Sequence, residues 1–203
     1  MRGAPRPDVL CNMASGRLVN ITHPTPEQIF WPDLIECLVK IPRFGGATFG
    51  VMYTVAQHCC LMHDHADDDI KPAALLKNFH KAILGEMTWA AEAALLAYST
   101  NPDALSDAAA FARDQINDAI FRAAGLGEFI DNLESYDRAR DALEHLARKL
   151  QATEARDLMQ LTVAPPAWAN VKPFPRPIRP WGSDKARQEL ETRLSQIGID
   201  PRA

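Results

Sequence analysis

The chain lacks most of the features that would assign it to a special class. No apolar run approaches the roughly 20 residues needed to cross a bilayer, so no membrane association is expected. Cysteine is scarce: Cys11, Cys37, Cys59 and Cys60 are too few and too irregularly spaced for a disulfide framework or a zinc site. Reduced thiols in a cytoplasmic protein are the expectation. A formal charge of −4 gives no global attraction to nucleic acid or acidic membrane, and nucleic-acid binding is not expected. The first ten residues, MRGAPRPDVL, carry no apolar h-region, so no secretory signal is expected. There is no internal repeat and no strand alternation of substance. The glycine-rich stretch Arg43-Phe44-Gly45-Gly46 has neither a preceding strand nor the GK[ST] ending of a phosphate-cradling P-loop.

What remains is a chain of 203 residues, long enough for one domain with a full-sized core. Residues 1–15 contain two prolines and three charged residues and read as a flexible arm, leaving 16–203 as a single domain. Pro32 suits the first turn of a helix, Leu34, Ile35, Leu38 and Val39 form an apolar stripe, and Pro42 stops it. A second helix is expected over Thr54–His65, closed by Asp67-Asp68-Asp69. A third starts near Pro72, buries Leu75, Leu76, Phe79, Ile83 and Leu84, and ends at Gly85. Long helices follow over about 102–124, with Phe111, Ile116, Ile120 and Phe121 inward, and about 130–159, with Leu143, Leu146 and Leu150 inward.

From Val163 to Pro180 six of eighteen residues are proline, too many for a regular element. Trp168, Val171, Phe174 and Ile178 suggest that this stretch wraps the body, and Ser183 can cap a last helix over 184–197. The expected fold is all-α: a compact helical bundle with a proline-rich C-terminal wrap and a final helix.

By residue type alone, His58 reads as a core histidine and Asp137 as a solvated residue on a charged helix face. Spacing adds more. Arg43-Phe44-Gly45-Gly46, then Tyr53-Thr54-Val55-Ala56-Gln57-His58, Leu75-Leu76, Gly85-Glu86-Met87-Thr88 and the late Tyr136-Asp137 together resemble the HD-domain phosphohydrolases, in particular their small bacterial and phage 5'-deoxynucleotidase-like branch. The resemblance covers about residues 14–197, and YTVAQH is its most specific block.

In that family a histidine, a His-Asp pair and a distant aspartate hold a divalent metal, which polarises a phosphoryl oxygen and activates a water. The resemblance puts His58 at the first histidine and Asp137 at the last aspartate. It puts Lys77-Asn78 at the His-Asp pair, Lys81 at an assisting glutamate, Glu86 at a second acid, and Ala47 where many relatives carry a histidine. A protonated lysine cannot ligate a cation, and an amide oxygen is a poor substitute for a carboxylate. With Lys81 in place of the glutamate the obvious general base is also gone.

The resemblance therefore implies a degenerate site with vestigial ligands His58 and Asp137 and no expected cofactor. Arg43, Lys77, Lys81 and Glu86 are the candidate contacts to a nucleotide or other phosphorylated small molecule. Lys77 is expected between His58 and Asp137, where its loss would destabilise the fold. Alternatives are an active phosphohydrolase using Mn, Co, Fe or Zn with an atypical ligand set, such as His58, His65, His80 and Asp137, or a structural subunit. A homo-oligomer is expected in any case. The literal pair His63-Asp64 lies five residues after His58 on the same helix and points away from it.

Overall fold

The computed structural model describes residues 6–162 and 170–203. It is all-α apart from one two-stranded sheet, and it starts where the sequence suggested only a loose arm. Strand β1, Leu10–Asn12, pairs antiparallel with β2, Leu18–Asn20, with Cys11 opposite Val19. Gly16, at φ 87°, makes the turn in a conformation that disfavours a side chain. The hairpin is held to the body by burial of Met13 and Val19 and by Asp33, whose carboxylate accepts from Ser15 N and Ser15 Oγ at 2.7 and 2.6 Å. Residues 10–15 thus belong to the folded body. Residues 1–5 and Trp168 lie outside the described residues.

Helix α1 spans Trp31–Leu38, with Pro32 in its first turn. A 3₁₀ turn at Arg43–Gly46 follows, in which Phe44 and Gly45 both have positive φ. The backbone of 41–43 then pairs with that of 53–55: Arg43 N donates to Tyr53 O at 2.8 Å and Val55 N to Ile41 O at 3.0 Å. This clasp fixes Arg43 beside Tyr53 at the entrance of α2, Val55–His65. Thr54 caps α2 by accepting from Gln57 N at 3.3 Å.

The third expected helix is two short ones, α3 at Lys71–Leu76 and α4 at Lys81–Leu84, separated by a turn at residues 77–80. Gly85 ends α4 at φ 81°. Next comes α5, Trp89–Tyr98, which the periodicity does not reveal, capped by Thr88 through Ala91 N. Asn101 caps α6, Pro102–Ala123, at 3.1 Å from Ala104 N. The long C-terminal pattern divides into α7, Gly127–Asp131, and α8, Leu133–Leu158. The last helix, α9, is Ser183–Gln196, with Gly182 rather than Ser183 at the cap position.

The core forms around α2, which packs against α3, α9, α8 and α1. Buried residues from Met13 to Ile199 join one hydrophobic cluster, with Phe79, Leu34, Ile35, Met62, Leu75 and Leu150 almost fully enclosed. Ile116, Ile120 and Phe121 are inward as expected, but Phe111 is exposed because the first half of α6 extends beyond the body.

The proline-rich wrap is bound to α2 and α8. Gln57 Nε2 donates to Arg179 O and Gln57 Oε1 accepts from Trp181 N, both at 2.8 Å. Thr153 Oγ1 accepts from Phe174 N at 2.8 Å, and Asp157 Oδ2 from Ile178 N at 2.7 Å. Phe174 stacks on His65 at 3.9 Å. Among the described residues no helix is long and apolar enough to cross a membrane.

Candidate functional site

Four of the polar residues that the sequence singles out, Arg43, His58, Lys81 and Glu86, meet in the interior, around a fully buried carboxylate that it did not single out. Glu154, on α8, is completely enclosed. Its Oε1 accepts from Tyr53 Oη at 2.7 Å and from His58 Nδ1 at 2.6 Å. Its Oε2 accepts from Arg43 Nη2 at 3.3 Å. Arg43 Nη1 also donates to Glu86 Oε1. Glu86 Oε2 lies 2.5 Å from Lys81 Nζ, an ion pair rather than a well-directed hydrogen bond. The chain of contacts runs Tyr53 and His58 to Glu154, then Arg43, Glu86 and Lys81.

Local sequence explains the convergence. The 41–43/53–55 clasp delivers Arg43 and Tyr53, α2 presents His58 one turn after its cap, and α4 and its C-terminal glycine turn deliver Lys81 and Glu86. Two cations then face two carboxylates, so the cluster is charge-balanced with His58 neutral.

The proton positions follow from chemistry. An ionised carboxylate only accepts, so His58 carries its proton on Nδ1 toward Glu154. The other ring nitrogen is then a lone pair, and Asn78 Nδ2 approaches it at 3.1 Å as a donor. Both nitrogens of His58 are engaged within the protein. Burial would raise the Glu154 carboxyl, but His58 and Arg43, together with the hydrogen bonds from His58 and Tyr53, more than offset it and hold it at about 2. Burial, then Arg43, pulls the His58 imidazole below its ordinary value against the opposing pull of Glu154. Lys81 is lowered by burial and by Arg43, with Glu86 opposing. Burial would raise Glu86, but Arg43 and Lys81 bring it below the usual carboxylate range. Burial pushes the adjacent Cys59 thiol up to about 12, so it is not a nucleophile.

Several expectations need correction. Asp137 does not face His58: its side chain is 60% exposed and pairs with Arg140 at 3.3 Å. On α8 the buried stripe runs through Leu143, Leu146, Leu150 and Glu154. At about 100° per residue, Asp137 sits about 120° from Leu143 around the helix, while Glu154 falls within about 20° of it. The acid partner of His58 is therefore Glu154. Lys77 is also elsewhere. Its electrostatic neighbours are Glu144, Arg113, Arg140 and Asp114, and burial lowers its pKa. Asn78, not Lys77, takes the ring of His58. The break between α3 and α4 turns these two neighbours in different directions.

The rebuilt metal set is not assembled either. His58 is in the buried cluster, His65 stacks on Phe174, His80 shares its Nδ1 with Asn117 Oδ1 and Lys77 O at 3.1 Å each, and Asp137 is outside. His63 contacts Asp64 at 3.2 Å, and Asp64 is bound by Arg193. Among the described residues no group of three or more His, Cys, Asp or Glu is placed to hold a metal ion.

Arg43, Lys81 and Glu86 do come together, but as partners of one another. Among the described residues, one cavity of about 560 Å³ lies beside Gln57, His65 and Trp181 and another of about 380 Å³ beside Asp67, Ile70 and Phe129. Neither is lined by Arg43, Lys77, Lys81 or Glu86.

Compared with protein-family models and with curated proteins, the chain gives no match.

Proposed function

We propose that this chain is a non-catalytic, HD-like helical protein, in which a metal cradle has become a buried structural network and activity lies in binding a partner. The observation that carries this reading is the state of His58. Its Nδ1 is bound to Glu154, and its Nε2 lone pair, the atom a metal would need, receives the amide of Asn78. The lysines at 77 and 81, where the resemblance expects a histidine and a glutamate, support the same conclusion.

The closed network also bears on what is bound. A phosphate group needs accessible unpaired donors, whereas Arg43 is buried with both Nη atoms on Glu86 and Glu154, its unpartnered Nε is enclosed, and Lys81 is paired with Glu86. A protein partner at the surface therefore fits better than a nucleotide at these residues. Four free thiols, two of them buried side by side at Cys59 and Cys60, support a reducing compartment such as the cytoplasm.

The test is metal analysis of the purified protein together with phosphate release from a panel of deoxynucleotides. The expected result is substoichiometric metal and no release. Stoichiometric Mn, Fe, Co or Zn accompanied by turnover overturns the proposal in favour of an active phosphohydrolase.

A further inference from the structure

We propose that the cleft between α2, α8 and the proline-rich wrap is a binding site for a small aromatic anion, a flat ring that carries a carboxylate or phosphate group. The inference is independent of the reading of the His58 cluster. The cleft is the cavity of about 560 Å³ beside Gln57, His65 and Trp181, and none of Arg43, His58, Lys81 and Glu86 lines it. Its volume lies within the ~300–1,000 Å³ usual for small-molecule sites.

The polar groups of the lining divide into two kinds. Those that build the walls are already engaged. Gln57 uses both ends of its amide on the wrap, and the Thr153 hydroxyl accepts from Phe174 N and donates to Lys149 O, both at 2.8 Å. Both oxygens of Asp64 are bound by Arg193, at 2.8 and 2.7 Å, so this carboxylate is neutralised in place. The guanidiniums of Arg176 and Arg179 are different. Both residues are exposed and line the same cavity, and among the described residues neither guanidinium is bound to a carboxylate. The neighbouring Arg156, Arg187 and Arg193 each hold one, in a chain whose formal charge is −4. The charge of Arg176 also reaches into the cleft: burial lowers the His65 imidazole, Asp64 opposes this, and Lys149 and Arg176 lower it further.

The two arginines are carried on a backbone that is fixed from behind. Pro173, Pro175, Pro177 and Pro180 restrict its torsions. Arg156 donates to the carbonyls of Phe174 and Arg176 at 2.7 and 3.4 Å, and Gln57 to that of Arg179. A backbone held in this way has less freedom to lose when a ligand arrives. Guanidinium forks match the oxygens of carboxylates and phosphates. Leu61, Leu150, Ile178 and Trp181 supply the apolar part of the lining, and Lys185 and Arg193 lie over the Trp181 ring at 5.4 and 5.9 Å, adding positive charge beside it. An inorganic ion would engage the arginines and leave the apolar lining wet, while a neutral ring would leave both arginines without a partner. A ring bearing an oxyanion satisfies both halves of the cleft.

The experiment titrates naphthoate, naphthyl phosphate, neutral naphthol and inorganic phosphate separately into the full chain and follows the Trp181 indole and His65 ring signals by NMR. Saturable shifts with a Kd below about 1 mM are expected for naphthoate, naphthyl phosphate or both, and the stronger of the two identifies the oxyanion preferred. Naphthol and inorganic phosphate should each bind at least tenfold more weakly. R176Q/R179Q should lose at least tenfold in affinity with an unchanged melting temperature, since both side chains are exposed, and R176K/R179K, which keeps the charge but not the fork, should fall between it and wild type. No saturable shift with either acid up to about 5 mM overturns the proposal. So does naphthol or inorganic phosphate binding as tightly as the acids, a comparison that needs no variant, or a double glutamine variant within twofold of wild type. Stoichiometric metal with turnover would leave this cleft untouched, and a cleft that binds neither acid would leave the non-catalytic reading intact, so the two proposals fail separately.

Discussion

Replacing Glu154 by glutamine is the most direct test of the buried network. The substitution keeps the size of the side chain and removes its charge, leaving Arg43 with Glu86 alone and turning one acceptor into a donor aimed at Tyr53, His58 or Arg43. The magnitude comes from proton affinity. Holding the carboxyl at about 2 instead of its ordinary 4.5 corresponds to on the order of 3 kcal/mol at neutral pH, at about 1.4 kcal/mol per tenfold change. That agrees with the ~3–5 kcal/mol cost of removing one partner from a buried pair. For a chain of this length about 1 kcal/mol moves the melting temperature by about 2–4 °C, so Glu154→Gln should melt roughly 6–12 °C below wild type at pH 7. The pH dependence has a definite sign. A carboxyl depressed in the folded state contributes stability that is present above its unfolded value of 4.5 and is lost as pH falls toward about 2. The gap between wild type and variant must therefore narrow between pH 5 and pH 2. A gap below 2 °C at pH 7, or one of constant size down to pH 3, would show that Glu154 does not anchor the cluster as an ionised group.

Three further outcomes follow from the same geometry. Burial, with the charge of Lys81, holds His80 down at about 4, so its folded pKa lies below its ordinary 6.5 and stability falls as pH drops from 6.5 toward 4; proton NMR of the ring should show no His80 titration above pH 5, and a midpoint near 6.5 would contradict this. Lys77 is partly desolvated without the Asp137 partner that the sequence suggested, so Lys77→Met should leave the melting temperature unchanged or up to about 2 °C higher, under 1 kcal/mol; a drop of 4 °C or more would restore a tying role to this lysine. Gln57→Leu removes both hydrogen bonds that hold the wrap at Arg179 and Trp181, and should speed hydrogen exchange at the Trp181 amide several-fold, whereas unchanged exchange would show that the bonds from Thr153 and Asp157 suffice.

Much of the fold is legible in the sequence because its helices announce their ends. Thr54, Asn101, Gly85 and Gly125 cap or terminate elements where their chemistry dictates, and the apolar stripes of α1 and α8 have helical spacing. The pair of short helices α3 and α4 reads as one because Phe79, in the turn between them, is itself buried against Trp31 and continues the apolar pattern through the break. Within the site, His58, Arg43, Lys81 and Glu86 are grouped in advance by the resemblance to HD-domain proteins. Their geometry is not legible, since it depends on a backbone clasp between residues distant from the helices they serve.

The two features that sequence periodicity misses, Glu154 and α5, are misread for opposite reasons. Glu154 is a charge in register with Leu143, Leu146 and Leu150, on the stripe that a water-soluble helix normally keeps apolar. A charge there survives only if other buried groups compensate it, so its position alone implies that cations and donors from elsewhere converge on it, as Arg43, Tyr53 and His58 do. Helix α5 is the reverse: apolar on nearly every side, it has no polar face to give a period, and so reads as no element at all. An apolar segment left exposed has no counterpart in the chain's own core, whereas a buried charge implies partners within it. The same burial rule broken in both directions separates the two levels of this protein. The charge marks what holds the fold together, and the exposed helix marks the part of the chain that the core does not reach. Mutations at Glu154 should therefore change melting at any protein concentration.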